Sequence, residues 1–147
     1  MFKQRPFPFS IIVLVAFLGF HIAGSYLNLY WIYRWFDMPV HFLGGLWLSL
    51  MVLWVMIAFG QIKSITDYKI KSLAVVLIVT GAAAFFWEAY EIYMGMVTMS
   101  SPGYGLNTAT DILSGLVGAV VAYLYFIKTK KCSGTSVSNV CEVVEAI

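Results

Sequence analysis

Charged residues are scarce in this sequence, and they are nearly balanced in sign. Only 11% of the 147 residues are charged, whereas 61% are hydrophobic, and the mean hydropathy is +0.87. A water-soluble domain of this length needs a charged surface, so the composition excludes that class and indicates a membrane protein. The net charge of +2 is too small to indicate a nucleic-acid partner.

Cysteine is also rare, because the chain has only Cys132 and Cys141, both near its C-terminus. Their separation is not a zinc-binding spacing. The basic residues described below predict that the tail is cytoplasmic, where thiols stay reduced. We therefore expect two free thiols and no disulfide.

Four apolar runs cover most of the chain, at residues 8–30, 38–60, 72–96 and 109–127. Each is close to the roughly 20 residues that a helix needs to cross the hydrocarbon core. Because lipid offers the backbone no hydrogen-bond partners, each run is predicted to be a helix. The predicted connections are YRWFDMP, GQIKSITDYKIK and SSPGYGLNTA. The sequence thus predicts an all-α polytopic membrane protein, with a four-helix transmembrane domain at 1–128 and a short polar tail at 129–147.

Lysine and arginine are distributed unequally between the two sides of these spans. Eight lie at the N-terminus, in the second connection or after span four, whereas only Arg34, within the aromatic segment YWIYRWF, lies on the other side. Cytoplasmic segments carry the excess of basic residues, so we predict a multi-pass cell-membrane protein with both termini cytoplasmic. The alternative is that Lys3, Arg5 and the run ending at AGS form a cleaved signal peptide, although this run is long for one.

Two glutamates interrupt one of the most apolar stretches of the chain, FFWEAYEI. A rise of about 1.5 Å per residue along span three places Glu88 in the outer half of the membrane, and Glu91 one turn further out. Asp37 and His41 at the start of span two, and Asp111 near the start of span four, fall at a similar depth. Five of the nine acidic or histidine side chains are therefore expected to converge in the outer third of the membrane.

A polar group at this depth indicates metal binding or catalysis. Burying an acid is costly unless it is paired, protonated or bound to a metal, so Glu88 and Glu91 are candidate catalytic residues. Carboxylates combined with an imidazole suit Zn, Mn or Fe, and the D-x3-H and E-x2-E spacings each present two ligands on one helix face. The predicted metal ligands are Asp37, His41, Glu88, Glu91 and Asp111.

Several of these residues also have a purely structural interpretation. Asp37 is placed to be the N-cap of span two, and Thr108-x-x-Asp111 fits a capping box. His41 could simply make a hydrogen bond between helices. His21 in span one lies at a similar depth, and we expect it beside the site and not in it.

Three segments resemble the VanZ-like family of small membrane proteins and the related YjdF-like proteins. DMPVHFLGG (37–45) resembles the VanZ-like D-K-x-x-H-F-x-x-(G/A) segment, and WEAYEI (87–92) resembles the YjdF-like E-x-x-E. NTATDILSGLVGA (107–119) resembles a third element, D-x3-N or D-x3-D followed by small residues. Met38 replaces the lysine of the first element, and Asn107 replaces the first acid of the YjdF-like third element.

This resemblance implies a helical membrane protein with a polar site. VanZ-like proteins are associated with resistance to teicoplanin, a glycopeptide that acts on cell-wall precursors outside the membrane. An outward-facing site is compatible with substrates of that kind.

Three functions are consistent with the pattern. The first is metal-dependent hydrolysis or transfer on a lipid or lipid-linked cell-envelope substrate, with a glutamate as general base. Its partners would be membrane lipid, that substrate or another membrane protein. The second is a proton- or ion-coupled carrier, although the inner halves MVLWVMIAF and LAVVLIVTG offer almost no polar path. The third is a non-catalytic accessory protein whose polar network fixes helix packing.

Overall fold

The computed structural model describes the backbone of residues 6–33, 35–59, 65–95 and 103–134, and the side chains of 8–33, 35–59, 71–95 and 103–128. Within these residues every regular element is a helix: α1 Pro6–Tyr26, α2 Leu29–Ile32, α3 Asp37–Ala58, α4 Ile65–Tyr93 and α5 Tyr104–Gly134. Four stretches are long and apolar enough to cross a membrane: Pro8–Tyr26, Asp37–Ala58, Lys71–Tyr93 and Tyr104–Lys128. The predicted all-α architecture with four spans is confirmed.

The helix ends differ from the prediction at each connection. α1 stops at Tyr26, because Asn28 has a left-handed backbone (φ 55°) that a right-handed helix cannot continue. α3 begins at Asp37 and α4 begins within the predicted second connection, so both helices take residues assigned to loops. α5 begins at Tyr104, directly after Gly103, whose φ of 81° costs a glycine little.

α5 continues to Gly134, past the predicted end of the transmembrane domain at 128, so the backbone of Cys132 is helical. The predictions made for Arg34, for the N-terminal basic residues and for Cys141 lie outside the described residues.

α3 is the central helix and packs against α1, α4 and α5. Neighbouring spans run in opposite directions, so α1 and α4 end where α3 and α5 begin. At the far end of the bundle, Phe9 near the start of α1 stacks on Tyr125 near the end of α5, with ring centroids 4.5 Å apart.

Glycines allow α3 and α5 to lie very close together. A Cβ atom added to Gly45 would meet the Gly115 backbone, with Cα at 2.7 Å, and one added to Gly118 would lie 2.8 Å from the Leu46 amide nitrogen. Small residues at such positions let membrane helices pack backbone to backbone. We call the first of these pairs, Gly45 and Gly115, the glycine contact.

Beyond the glycine contact the bundle has an apolar core. Between α3 and α4, the buried hydroxyls of Ser49 and Thr80 lie 2.8 Å apart and satisfy each other by a hydrogen bond. Further along, six apolar side chains are at most 1% exposed: Leu50, Leu53, Val76, Ala119, Ala122 and Phe126.

Candidate metal centre

The first turn of α3 contributes an aspartate and a histidine to one face. Asp37 is the first residue of α3 and Phe36 occupies the N-cap position, so the interpretation of Asp37 as N-cap is wrong. Residues four apart share a helix face, and Asp37 Oδ1 lies 3.5 Å from His41 Nε2. Both side chains line the cavity between α3 and its neighbouring helices.

Asp111 on α5 completes a three-residue group with this pair. It is only 1% exposed, and each of the three residues offers one ligand atom within 4.8 Å of the other two. Asn107, one turn earlier, donates its amide Nδ2 to Asp111 Oδ2 at 2.6 Å. We call Asp37, His41 and Asp111 the ligand group.

The capping-box interpretation of Thr108 and Asp111 is also wrong. α5 begins at Tyr104, so both residues lie inside the helix, past its N-cap. Instead, the Thr108 hydroxyl donates across to α4, where it binds Glu88 Oε2 at 2.8 Å.

Glu88 lies beside the ligand group and is a buried acid with one unpartnered oxygen among the described residues. It is only 5% exposed, and its Oε1 atom lies 3.9 Å from His41 Nε2. Among the described residues, Oε1 finds no hydrogen-bond donor. Burying a carboxylate oxygen without a hydrogen-bond partner costs free energy. This atom is therefore a suitable acceptor for a proton, a water molecule or a cation.

Glu91 is separated from the ligand group, although it lines the same cavity. Its Oε1 atom accepts a hydrogen bond from Trp87 Nε1 at 2.8 Å, on its own helix. Thus the structure brings together Asp37, His41, Asp111 and Glu88, and leaves Glu91 at the cavity wall.

His21 also lies at the cavity wall, as a neighbour of the site. Its Nδ1 atom lies 2.9 Å from the hydroxyl of Tyr30 on α2. Burial raises the pKa of Tyr30 to about 12, and the carboxylates of Asp37 and Glu91 add to this effect. The phenol therefore keeps its proton at neutral pH, and its O–H can donate a hydrogen bond to His21 Nδ1.

The cavity itself has a volume of about 950 Å³ and is bordered by side chains of all five helices. His41, Glu88 and Asp111 lie four, five and seven residues from the nearest ends of their spans. This corresponds to about 6 to 10 Å along a helix axis. The polar group thus sits near one end of the bundle, at a common depth on three helices.

The interatomic distances suit a single metal ion after small side-chain movements. Two ligand atoms that each bind one ion at about 2.1 Å can be no more than about 4.2 Å apart. The separations of 3.5 Å (Asp37–His41) and 3.9 Å (His41–Glu88) already satisfy this limit. The ligand group as a whole, within 4.8 Å, comes close to it.

Two polar partners of the site were not predicted as such. Thr108 was considered only as a cap, and Asn107 only as a replaced acid. For Asn107 the i, i+4 spacing to Asp111 was an available signal. For Thr108 there was none, since its partner lies on another helix.

The fold and the site define the chain as a polytopic helical membrane protein with a buried acid–histidine group near one end of its bundle. It belongs to a family described as predicted membrane protein (DUF2238), whose model matches residues 2–131. No curated protein and no solved structure matches the sequence. The family description gives membrane location and no activity.

Proposed function

We propose that this protein binds a divalent metal ion, Zn, Mn or Fe, through Asp37, His41 and Asp111. The proximity of these three ligand atoms supports the proposal. The chemistry agrees with it, because mixed carboxylate and imidazole ligands suit these metals. The unpartnered oxygen of Glu88 beside His41 adds negative charge that a nearby cation would offset.

Charge repulsion also favours a cation at this position. Three carboxylates lie around one imidazole in a space with little solvent. Like charges at such distances oppose each other unless a proton or cation intervenes. A divalent ion would remove most of this repulsion and hold α3 and α5 together.

The reaction we propose is hydrolysis or group transfer on a lipid or lipid-linked cell-envelope substrate. A bound metal lowers the pKa of a coordinated water and polarises a carbonyl or phosphoryl oxygen. In this proposal Glu88 acts as general base. Its Oε1 atom has no hydrogen-bond partner among the described residues, and its Oε2 atom accepts a hydrogen bond from the Thr108 hydroxyl, which supports this role. The resemblance of three segments to VanZ-like proteins is compatible with a cell-envelope substrate.

We further propose that the site faces the outside of a cell membrane. The eight basic residues on the opposite side of the spans support cytoplasmic termini. The ends of α1 and α4 would then lie at the outer surface, together with the ligand group.

A coupled carrier is less well supported. Beyond the Ser49–Thr80 pair, the buried side chains that the structure describes include no acidic, basic or histidine residue. Proton or ion relays through a membrane normally use such groups. The remaining alternative is an accessory protein whose polar network is purely structural. Measuring the metal content distinguishes this alternative from a metal-binding protein.

The test is elemental analysis of purified wild-type protein beside His41→Ala, Glu88→Gln and His21→Ala, each checked for helicity and monodispersity. Near-stoichiometric metal in wild type, lost in His41→Ala and retained in His21→Ala, is the expected result. Glu88→Gln should lose metal or, in a hydrolase assay, activity. If all four folded proteins are free of metal, even after incubation with Zn²⁺ and Mn²⁺, the metal proposal is wrong and the accessory role is favoured.

A further inference from the structure

The cavity beside the ligand group is far larger than a metal ion requires. Its volume of about 950 Å³ is at the upper end of the range for small-molecule sites, about 300–1,000 Å³. Most of its wall is apolar. We propose that this cavity binds a lipophilic organic cation, with Glu91 as its counter-ion.

The charge at the cavity wall selects against anions. Asp37 and Glu91 line the cavity, whereas no lysine or arginine occurs among the described residues that line it. Asp111 offers a ligand atom within 4.8 Å of Asp37, and Glu88 lies 3.9 Å from His41. When the Asp37, Asp111 and Glu88 carboxylates are ionised, their combined charge exceeds that of one divalent ion, so the wall then stays negative with the metal bound.

Aromatic rings line the cavity together with Glu91. The Trp87 indole donates a hydrogen bond to the Glu91 carboxylate. The Trp87 and Tyr90 rings on α4, whose centroids are 5.6 Å apart and whose planes are tilted by 42°, both line the cavity. Tyr30 and Trp31 line it from α2. Aromatic faces combined with a carboxylate are the usual means of binding an organic cation, since the electron-rich ring face attracts positive charge.

Glu91 is also held in a useful orientation. The indole of Trp87 donates a hydrogen bond to its Oε1 atom, which holds the carboxylate beside the Trp87 ring. Among the described residues, no basic side chain pairs with Glu91 and neutralises its charge. Phe17, Trp47 and Leu48 extend the wall with apolar surface, which suits the hydrophobic part of such a cation. Because Glu91 is outside the ligand group, this site does not depend on the metal.

The test compares tetraphenylphosphonium with tetraphenylborate, which have nearly the same size and shape but opposite charge. Binding to the purified protein is measured by equilibrium dialysis in a non-ionic detergent and a sodium buffer, with EDTA present and again after Zn²⁺ is added. We expect saturable binding of one phosphonium ion per chain in both conditions. Tetraphenylborate should bind at least about a hundredfold more weakly, because it faces repulsion instead of attraction.

Two variants and one matched control locate the site. Glu91→Gln removes the charge but keeps an oxygen for Trp87, and it should weaken phosphonium binding about tenfold or more. Tyr90→Leu should weaken binding about threefold to tenfold through the lost ring. Tyr93→Leu should have no effect, because Tyr93 is 86% exposed and does not line the cavity.

Equal affinity for the two probes, or phosphonium binding that survives both Glu91→Gln and Tyr90→Leu, would overturn the proposal. Metal content is measured on the same samples. A protein without metal that still binds phosphonium selectively contradicts only the metal site, whereas a metal-loaded protein that does not discriminate contradicts only the cation site.

Discussion

The glycine contact between α3 and α5 should control both the stability of the bundle and the geometry of the ligand group. Gly45→Ala places a methyl group against the backbone of Gly115, whose Cα would lie 2.7 Å away. Carbon atoms in good contact are about 3.5–4.0 Å apart, so the two helices must separate by about 1 Å. Backbone cannot rotate out of the way as a side chain can.

The magnitude follows from two opposing terms. Overpacking in a close contact costs about 1–3 kcal/mol, whereas replacing glycine by alanine inside a helix gains up to about 1 kcal/mol. Gly19→Ala is the matched control, because a Cβ atom at this α1 position meets nothing within 4 Å. The free energies of unfolding of the two variants should therefore differ by about 1–3 kcal/mol, with Gly45→Ala the less stable. Unfolding in mixed SDS micelles, followed by circular dichroism, measures the difference.

The same substitution should weaken metal binding. Gly45 lies one turn after His41, and Gly115 lies one turn after Asp111, so separating the helices also separates the two ligands. We expect a loss of metal affinity of about tenfold to a hundredfold, which is typical when the support of metal ligands is disturbed. If Gly45→Ala matches Gly19→Ala in both stability and metal affinity, the close approach of α3 and α5 does not determine the positions of the metal ligands.

Two further predictions concern hydroxyl groups that form hydrogen bonds between helices, and SDS unfolding tests both. Thr108→Val removes the donor to Glu88 and should cost about 1–3 kcal/mol. The Thr110 hydroxyl donates to a backbone carbonyl of its own helix. Thr110→Val should therefore cost clearly less, and equal costs would contradict the importance of the Glu88 contact. Ser49→Ala and Thr80→Val should each destabilise the bundle by about 1–3 kcal/mol, but the double variant should be little worse than either single one, since no unpaired hydroxyl remains. Strictly additive costs would show that the two hydroxyls do not depend on each other.

The number of spans and the shared depth of the polar residues could be predicted from the sequence. Lipid imposes a fixed length on apolar runs, and helical rise then converts residue number into depth. For this reason the meeting of His41, Glu88 and Asp111 near one end of the bundle followed from simple counting. Depth, however, says nothing about which way a side chain turns around its helix axis.

The particular contacts could not be predicted, because they depend on helix rotation and on exact helix ends. Glu88 and Glu91 are neighbours in sequence, yet one turns towards Thr108 and His41 and the other towards Trp87. The capping interpretations failed for the second reason, since α3 and α5 each begin before the expected residue. α3 begins one residue and α5 five residues earlier than expected, and such a shift moves a side chain from the N-cap position into the helix.

The shallow position of the polar group has an electrical consequence. Moving one elementary charge through the full potential of a membrane at 100 mV involves about 2.3 kcal/mol. A ligand that enters from the near surface travels about 6 to 10 Å of a roughly 30 Å hydrocarbon layer. Most of the voltage therefore falls across the rest of the layer, which contains the Ser49–Thr80 pair and the apolar core beyond it. A singly charged cation held beside Glu91 would feel at most about a third of the total, which would change its occupancy by no more than about fourfold. A binding site at this depth would respond to the composition of the adjacent solution and headgroup layer much more than to the membrane potential.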